Sequence, residues 1–162
     1  MEIKTLFQIQ KQLNDRINQE HQLEGHDLFD EQQLAFLVEL GELANETRCF
    51  KYWSRKPSSE RTMILEEYVD GLHFILTLGL TLGFTNWLAK KIYSYKETMT
   101  EQFLEVMKRT HQLNEQRTEE NYLQLVGSFL GLGQQLGFSY EEIEKSYIRK
   151  NKINHQRQDE GY

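Results

Sequence analysis

A single proline, Pro57, stands in a chain of 162 residues whose apolar side chains recur at spacings of three and four almost from end to end. Proline removes a backbone donor and breaks helices, while a three-and-four recurrence lays an apolar stripe along one helix face. Strict two-residue alternation, the mark of a strand, is hard to find. The chain is therefore expected to be all-α, an antiparallel helical bundle with short connections. Leu6, Ile9, Leu13 and Ile17 mark a first helix that gives way to the polar stretch NQEHQLEGHD. A second runs from about Asp30 to Thr47, with Leu34, Leu37, Val38, Leu40 and Leu43 as its apolar side. The segment Arg48 to Ser59, RCFKYWSRKPSS, breaks the pattern and reads as a loop. Ser58 or Ser59 is expected to cap a third helix over Glu60 to Leu82, with later helices over 86–95, 97–112, 119–136 and 140–153.

Two segments look alike. Leu82 to Thr85 is LGFT and Leu136 to Ser139 is LGFS. In each, glycine can take the left-handed conformation that ends a helix, and the hydroxyl residue can cap the next one. Glu142, three residues after Ser139, completes a capping box. Four matching residues are too few to establish an internal duplication.

The length suits one domain with a real core, expected to span 1–162. Apolar residues make up 38% and charged residues 27%, so the chain should fold rather than remain disordered. A formal net charge of -6 argues against nucleic acid or an anionic membrane as the main partner. Cys49 is the only cysteine, which excludes an intrachain disulfide and suits a reducing compartment. The N-terminus MEIKTLFQIQKQLNDR is amphipathic, without the basic start and apolar core of an export signal. The longest apolar run, at 72–84, falls short of the roughly 20 residues of a membrane span. A cytoplasmic protein is the expectation.

The chemistry lies in two acidic pairs. Glu39 and Glu42 are three apart in LVELGELANE, and Glu67 and Asp70 are three apart in LEEYVD. Residues three apart share a helix face, and a helix–loop–helix hairpin brings the two faces together, so four carboxylates can converge. Such a pair alone is ordinarily a solvated face. Here both border apolar stripes, where four acids would repel one another and raise their own pKa values unless a cation compensates. Hard ions such as Mg²⁺ take oxygen ligands and bind through carboxylates together with substrate phosphates. Glu46 and Glu66 are near enough to compete as ligands and are ranked as neighbours. Lys51, Trp53, Arg55 and Lys56 in the intervening loop can hold phosphate or stack on a base, or form an ordinary surface loop. His73 follows Asp70 by three and is either a satisfied core histidine or part of the groove.

The tail KNKINHQRQDEGY places Lys150, Asn154 and Arg157 at four and three spacing, a basic face able to clamp phosphates and a sugar. Composition alone would make it a frayed terminal helix. Taken together, Glu39 and Glu42, Glu67 and Asp70 with His73 and Phe74, the tail through Tyr162, and QxxLND (Gln10, Leu13, Asn14, Asp15) resemble the dimeric all-α dUTP diphosphatases. These are relatives of the MazG-like nucleotide pyrophosphatases. The matches span nearly the whole chain in order, and the tail is the more specific part.

The resemblance implies the all-α NTP pyrophosphatase fold and hydrolysis of dUTP to dUMP and pyrophosphate, with dUDP as a further substrate, by a Mg²⁺-dependent homodimer in which Mn²⁺ can substitute. It implies that Glu39, Glu42, Glu67 and Asp70 hold the metal and that Glu42, or Glu39, orients or deprotonates the attacking water. Gln10, Asn14, Trp53 and His73 would lie near the deoxyuridine, while Lys150, Asn154, Arg157 and Tyr162 would close over sugar and phosphates. The alternatives are a broader MazG-like NTP pyrophosphatase or a non-enzymatic helical interaction module. A protein inhibitor captured at the active site is compatible with the enzyme.

Overall fold

The computed structural model describes residues 2–87 and 95–161, and these form six helices with no strand among them. They are α1 (Ile3–Glu20), α2 (Phe29–Thr47), α3 (Arg61–Leu82), α4 (Met99–Glu115), α5 (Glu119–Gln135) and α6 (Tyr140–Asp159). The expected helix over 86–95 falls mostly outside the described residues, as does Tyr162. Among the described residues, no helix is long and apolar enough to cross a membrane.

Helix starts follow local chemistry. Ser139 and Glu142 form the expected capping box, and Thr98 with Glu101 forms a second, so α4 begins at Met99 rather than at 97. Ser58 and Ser59 do not cap α3. Its N-cap is Glu60, without a side-chain bond, and the Ser59 amide instead donates to the Glu46 carbonyl at 3.0 Å, tying the loop back to α2. Helix α6 runs past Ile153 to Asp159, taking in most of the polar tail.

The apolar face of α2 also differs from expectation. Phe29, Phe36, Leu40, Leu43 and Ala44 are buried, whereas Leu34 is 63% and Val38 51% exposed. Apolar residues stand on two sides of this helix, and only one side faces α3.

Helix α3 is the centre of the bundle and packs on α1, α2, α5 and α6. Its crossing with α5 is reciprocal. The Tyr68 hydroxyl donates to the Phe129 carbonyl at 3.2 Å, and the Tyr122 hydroxyl donates to the Ile75 carbonyl at 3.0 Å. Each tyrosine lies over a glycine of the opposite helix, Tyr68 over Gly133 and Tyr122 over Gly79. Positions 68, 75, 79, 83 and 84 of α3 thus match 122, 129, 133, 137 and 138 of α5 in order and spacing. The ends match too: Gly83 and Gly137 have φ of 77° and 75°, with Phe84 N–H bonded to the Gly79 carbonyl and Phe138 N–H to that of Gly133. The likeness of LGFT and LGFS therefore extends back along the whole of the α3–α5 crossing. At the matching positions of α5, Glu67 and Asp70 are replaced by Asn121 and Gln124.

Candidate active site

Packing of α2 on α3 brings carboxylate oxygens of Glu39, Glu67 and Asp70 all within 4.8 Å of one another, half-buried at the hairpin seam. Glu42 is exposed at the rim, and its charge acts on both Glu39 and Glu67. Glu66 pairs with Arg149 at 2.7 Å and its charge also acts on Asp70, while that of Glu46 acts on Glu67. Burial and then repulsion from Asp70, Glu42 and Glu67 push the Glu39 carboxyl up to about 7. Burial also raises Glu67 and Asp70, the latter in spite of an ion pair from Lys150 at 2.6 Å. Hard oxygen donors, mutual proximity and negative charge that Lys150 offsets only in part are the features a small divalent cation satisfies, so the residues present fit Mg²⁺.

The raised Glu39 value has a stability consequence. A carboxyl whose folded pKa lies above its ordinary 4.5 favours folding while protonated. That contribution is fully present below about pH 4.5 and is lost as pH rises through about 7. In chelator, the melting temperature of the wild type should therefore fall relative to that of Glu39→Gln across this window. Parallel melting curves for the two proteins between pH 5 and 8 would contradict it.

Beside the acids opens a cleft of about 620 Å³ between α1, α3 and α6. Gln10, Asn14, Glu39, Asp70, His73, Asn154 and Arg157 all line it, which unites residues from four distant segments. A relay of amides fixes its wall. Tyr147 and His73 both approach Gln10 Oε1, at 2.6 and 2.7 Å, and Gln10 Nε2 donates to Asn14 Oδ1 at 2.9 Å. Asn14 Nδ2 donates on to Thr77 Oγ1 at 3.2 Å. Because Gln10 Oε1 only accepts, the His73 proton sits on Nδ1, leaving Nε2 as a bare acceptor. That atom is buried and has no hydrogen-bond partner among the described residues. Burial, with the Lys150 charge adding to it, pushes the imidazole down to about 3, so it is neutral at physiological pH.

Lys150 stands on Asp70 rather than in the cleft, and Trp53 is 65% exposed against Phe50 and Tyr52, outside the lining. Phe74, named with His73 from the sequence, lines the cleft, and two residues beside it were not singled out from sequence: Thr77 lines the cleft next to His73, and Tyr147 stacks on the imidazole with ring centroids 4.3 Å apart. Thr77 follows His73 by four on α3 and Tyr147 precedes Lys150 by three on α6, so helical spacing from the chosen residues would have found both.

A comparison with curated proteins finds no match. A family model described as dUTPase matches residues 2–162, nearly the whole chain. Six packed helices, the acidic seam and the cleft beside it accord with that match, and the chain belongs to this family of dUTP diphosphatases.

Proposed function

We propose that the cleft binds dUTP with its base against the amide relay and its phosphates at the acidic seam, and that hydrolysis there gives dUMP and pyrophosphate, with dUDP also cleaved to dUMP. The observation that carries this reading is the junction of two unlike surfaces. Three clustered carboxylates stand at one side of a cleft whose wall presents fixed amide and imidazole groups. Glu39, Glu67 and Asp70 hold Mg²⁺, or Mn²⁺ in its place, with Glu42 completing the set from the rim. Once bound, such an ion supplies charge neutralisation for phosphate oxygens and makes water a better nucleophile. Glu42 or Glu39 orients the attacking water and takes its proton. Asn154 and Arg157, on one face of α6 and in the cleft wall, hold sugar and phosphate oxygens from the opposite side, and Tyr162 follows them in the chain.

His73 reads the base. Uracil offers a donor at N3, which matches the bare Nε2, whereas cytosine offers an acceptor there and would leave two lone pairs facing each other. A buried hydrogen-bonding site rejects a mismatched ligand by roughly 10⁴-fold where the mismatch is complete. Discrimination by thermal shift tests the reading. With Mg²⁺, a non-hydrolysable dUTP analogue should raise the melting temperature by several degrees, while the dCTP analogue should not. Equal shifts with both would sink it.

The oligomer we propose is a homodimer of single-domain subunits spanning 1–162 and working in the cytoplasm. The exposed Leu34 and Val38 of α2 stand beside α4, on which Leu104 is 60% exposed. Apolar side chains gathered on adjacent helices mark an association surface. Replacing Val38 by Glu should halve the mass measured by light scattering, and an unchanged mass would place the interface elsewhere.

A further inference from the structure

We propose that Lys150 is the built-in counter-ion of the carboxylate cluster: its ammonium and a divalent ion compete for the Asp70 carboxylate, and where the ion takes that oxygen the lysine turns to the substrate phosphates. The inference rests on the metal-binding reading above and assigns the lysine a part beyond phosphate binding. Its Nζ donates to Asp70 Oδ2 at 2.6 Å, and the two side chains are only 17% and 18% exposed. A pair so enclosed is far less screened than a surface ion pair. The same ammonium also acts on Glu39 and Glu67, so it is a cation shared by all three carboxylates that cluster within 4.8 Å.

The helix that delivers it is held on both sides of the lysine. One turn earlier, Tyr147 stacks on His73 and donates to Gln10. Beyond it, Arg16 of α1 donates to the His155 carbonyl at 3.1 Å and pairs with Asp159 at 2.6 Å. With the backbone anchored, exchange falls to the side chain itself, a flexible four-carbon stem carrying a compact charge. A buried carboxylate with a fixed cation stands elsewhere in the bundle, on α4. There the Arg109 guanidinium is bonded at once to Gln124, Gln112 and the buried Glu105. Arg109 is locked by several partners. Among the described residues, Lys150 has one carboxylate contact, which an incoming divalent ion can replace.

Competition for one set of oxygens gives effects of opposite sign. In Lys150→Met, Mn²⁺ or Mg²⁺ added alone should bind about tenfold more tightly, because no charge-assisted hydrogen bond has to be broken first. The non-hydrolysable dUTP analogue with Mg²⁺ should bind more weakly, since the phosphates lose a cation. Lys150→Arg, which keeps the charge, should leave the affinity for the ion alone within a few-fold of wild type. The titration is calorimetric, on the intact chain without nucleotide, with Lys150→Gln as a second neutral variant should the methionine protein fold poorly. Tighter ion binding in a neutral variant supports the counter-ion. Binding of the ion to wild type with equal or lower affinity in the neutral variants overturns this inference alone. No ion binding in any of the proteins overturns it together with the metal-binding reading.

Discussion

Replacing Glu39 by Gln is expected to cut dUTP hydrolysis on the order of 10³-fold while leaving the fold intact, a loss comparable to removing a principal electrostatic group from an active site. Glu39 is the α2 member of the carboxylate trio and also lines the cleft, so it touches both the metal and the substrate side of the site. The amide keeps the shape and removes the charge. Because that charge is repelled by Asp70, Glu42 and Glu67, the same change should raise the melting temperature of the metal-free protein above pH 7. Activity and stability then move in opposite directions, as at sites where charge is concentrated for function. A variant that loses activity because it unfolds would show both falling. The check is a progress curve for pyrophosphate release beside a melting curve in chelator.

The largest structural effect is expected at Gly133. A Cβ built there meets the Tyr68 hydroxyl and lies 2.5 Å from Cζ of the same ring. Tyr68 has no freedom to retreat: it is fully buried, stacked on Phe129 at 4.5 Å and bonded to the Phe129 carbonyl. Overpacking of this kind costs about 3 kcal/mol, which outweighs the roughly 1 kcal/mol that alanine gains over glycine within a helix. Gly133→Ala should lower the melting temperature by about 5 °C or more. Gly79→Ala should act alike, since its Cβ would meet Tyr122 and Phe7. A neutral outcome at both would mean that α3 and α5 cross less closely than the tyrosine bonds require.

Much of this was legible in the sequence because it follows from spacing. The period of the apolar residues gave helices, and the three-residue interval put Glu39 beside Glu42 and Glu67 beside Asp70. What spacing did not give was which side of a two-faced helix packs inward. Leu34 and Val38 look as apolar as Phe36 and Leu40, yet the first two face outward. His73 satisfies both of the roles open to it, with Nδ1 bonded like a core histidine and Nε2 left bare. The tail was hidden by its composition. A polar run reads as frayed until the partners across the bundle are known, and those of α6 include Asp70 of α3 and Arg16 and His21 of α1. The likeness of α3 and α5 was hidden for another reason, since three identical residues and a Thr–Ser pair carried no weight until the reciprocal tyrosine contacts joined them to the rest of the two helices.

The central claim, that the cleft reads uracil and the acidic seam serves the phosphates, is tested most directly by turnover on a panel of dUTP, dCTP, dTTP and UTP with Mg²⁺ and with chelator. The account predicts conversion of dUTP to dUMP and pyrophosphate with kcat/KM at least about 10²-fold above each of the others, and none in chelator. Comparable hydrolysis of dCTP or dTTP, or full activity without a divalent ion, would contradict it.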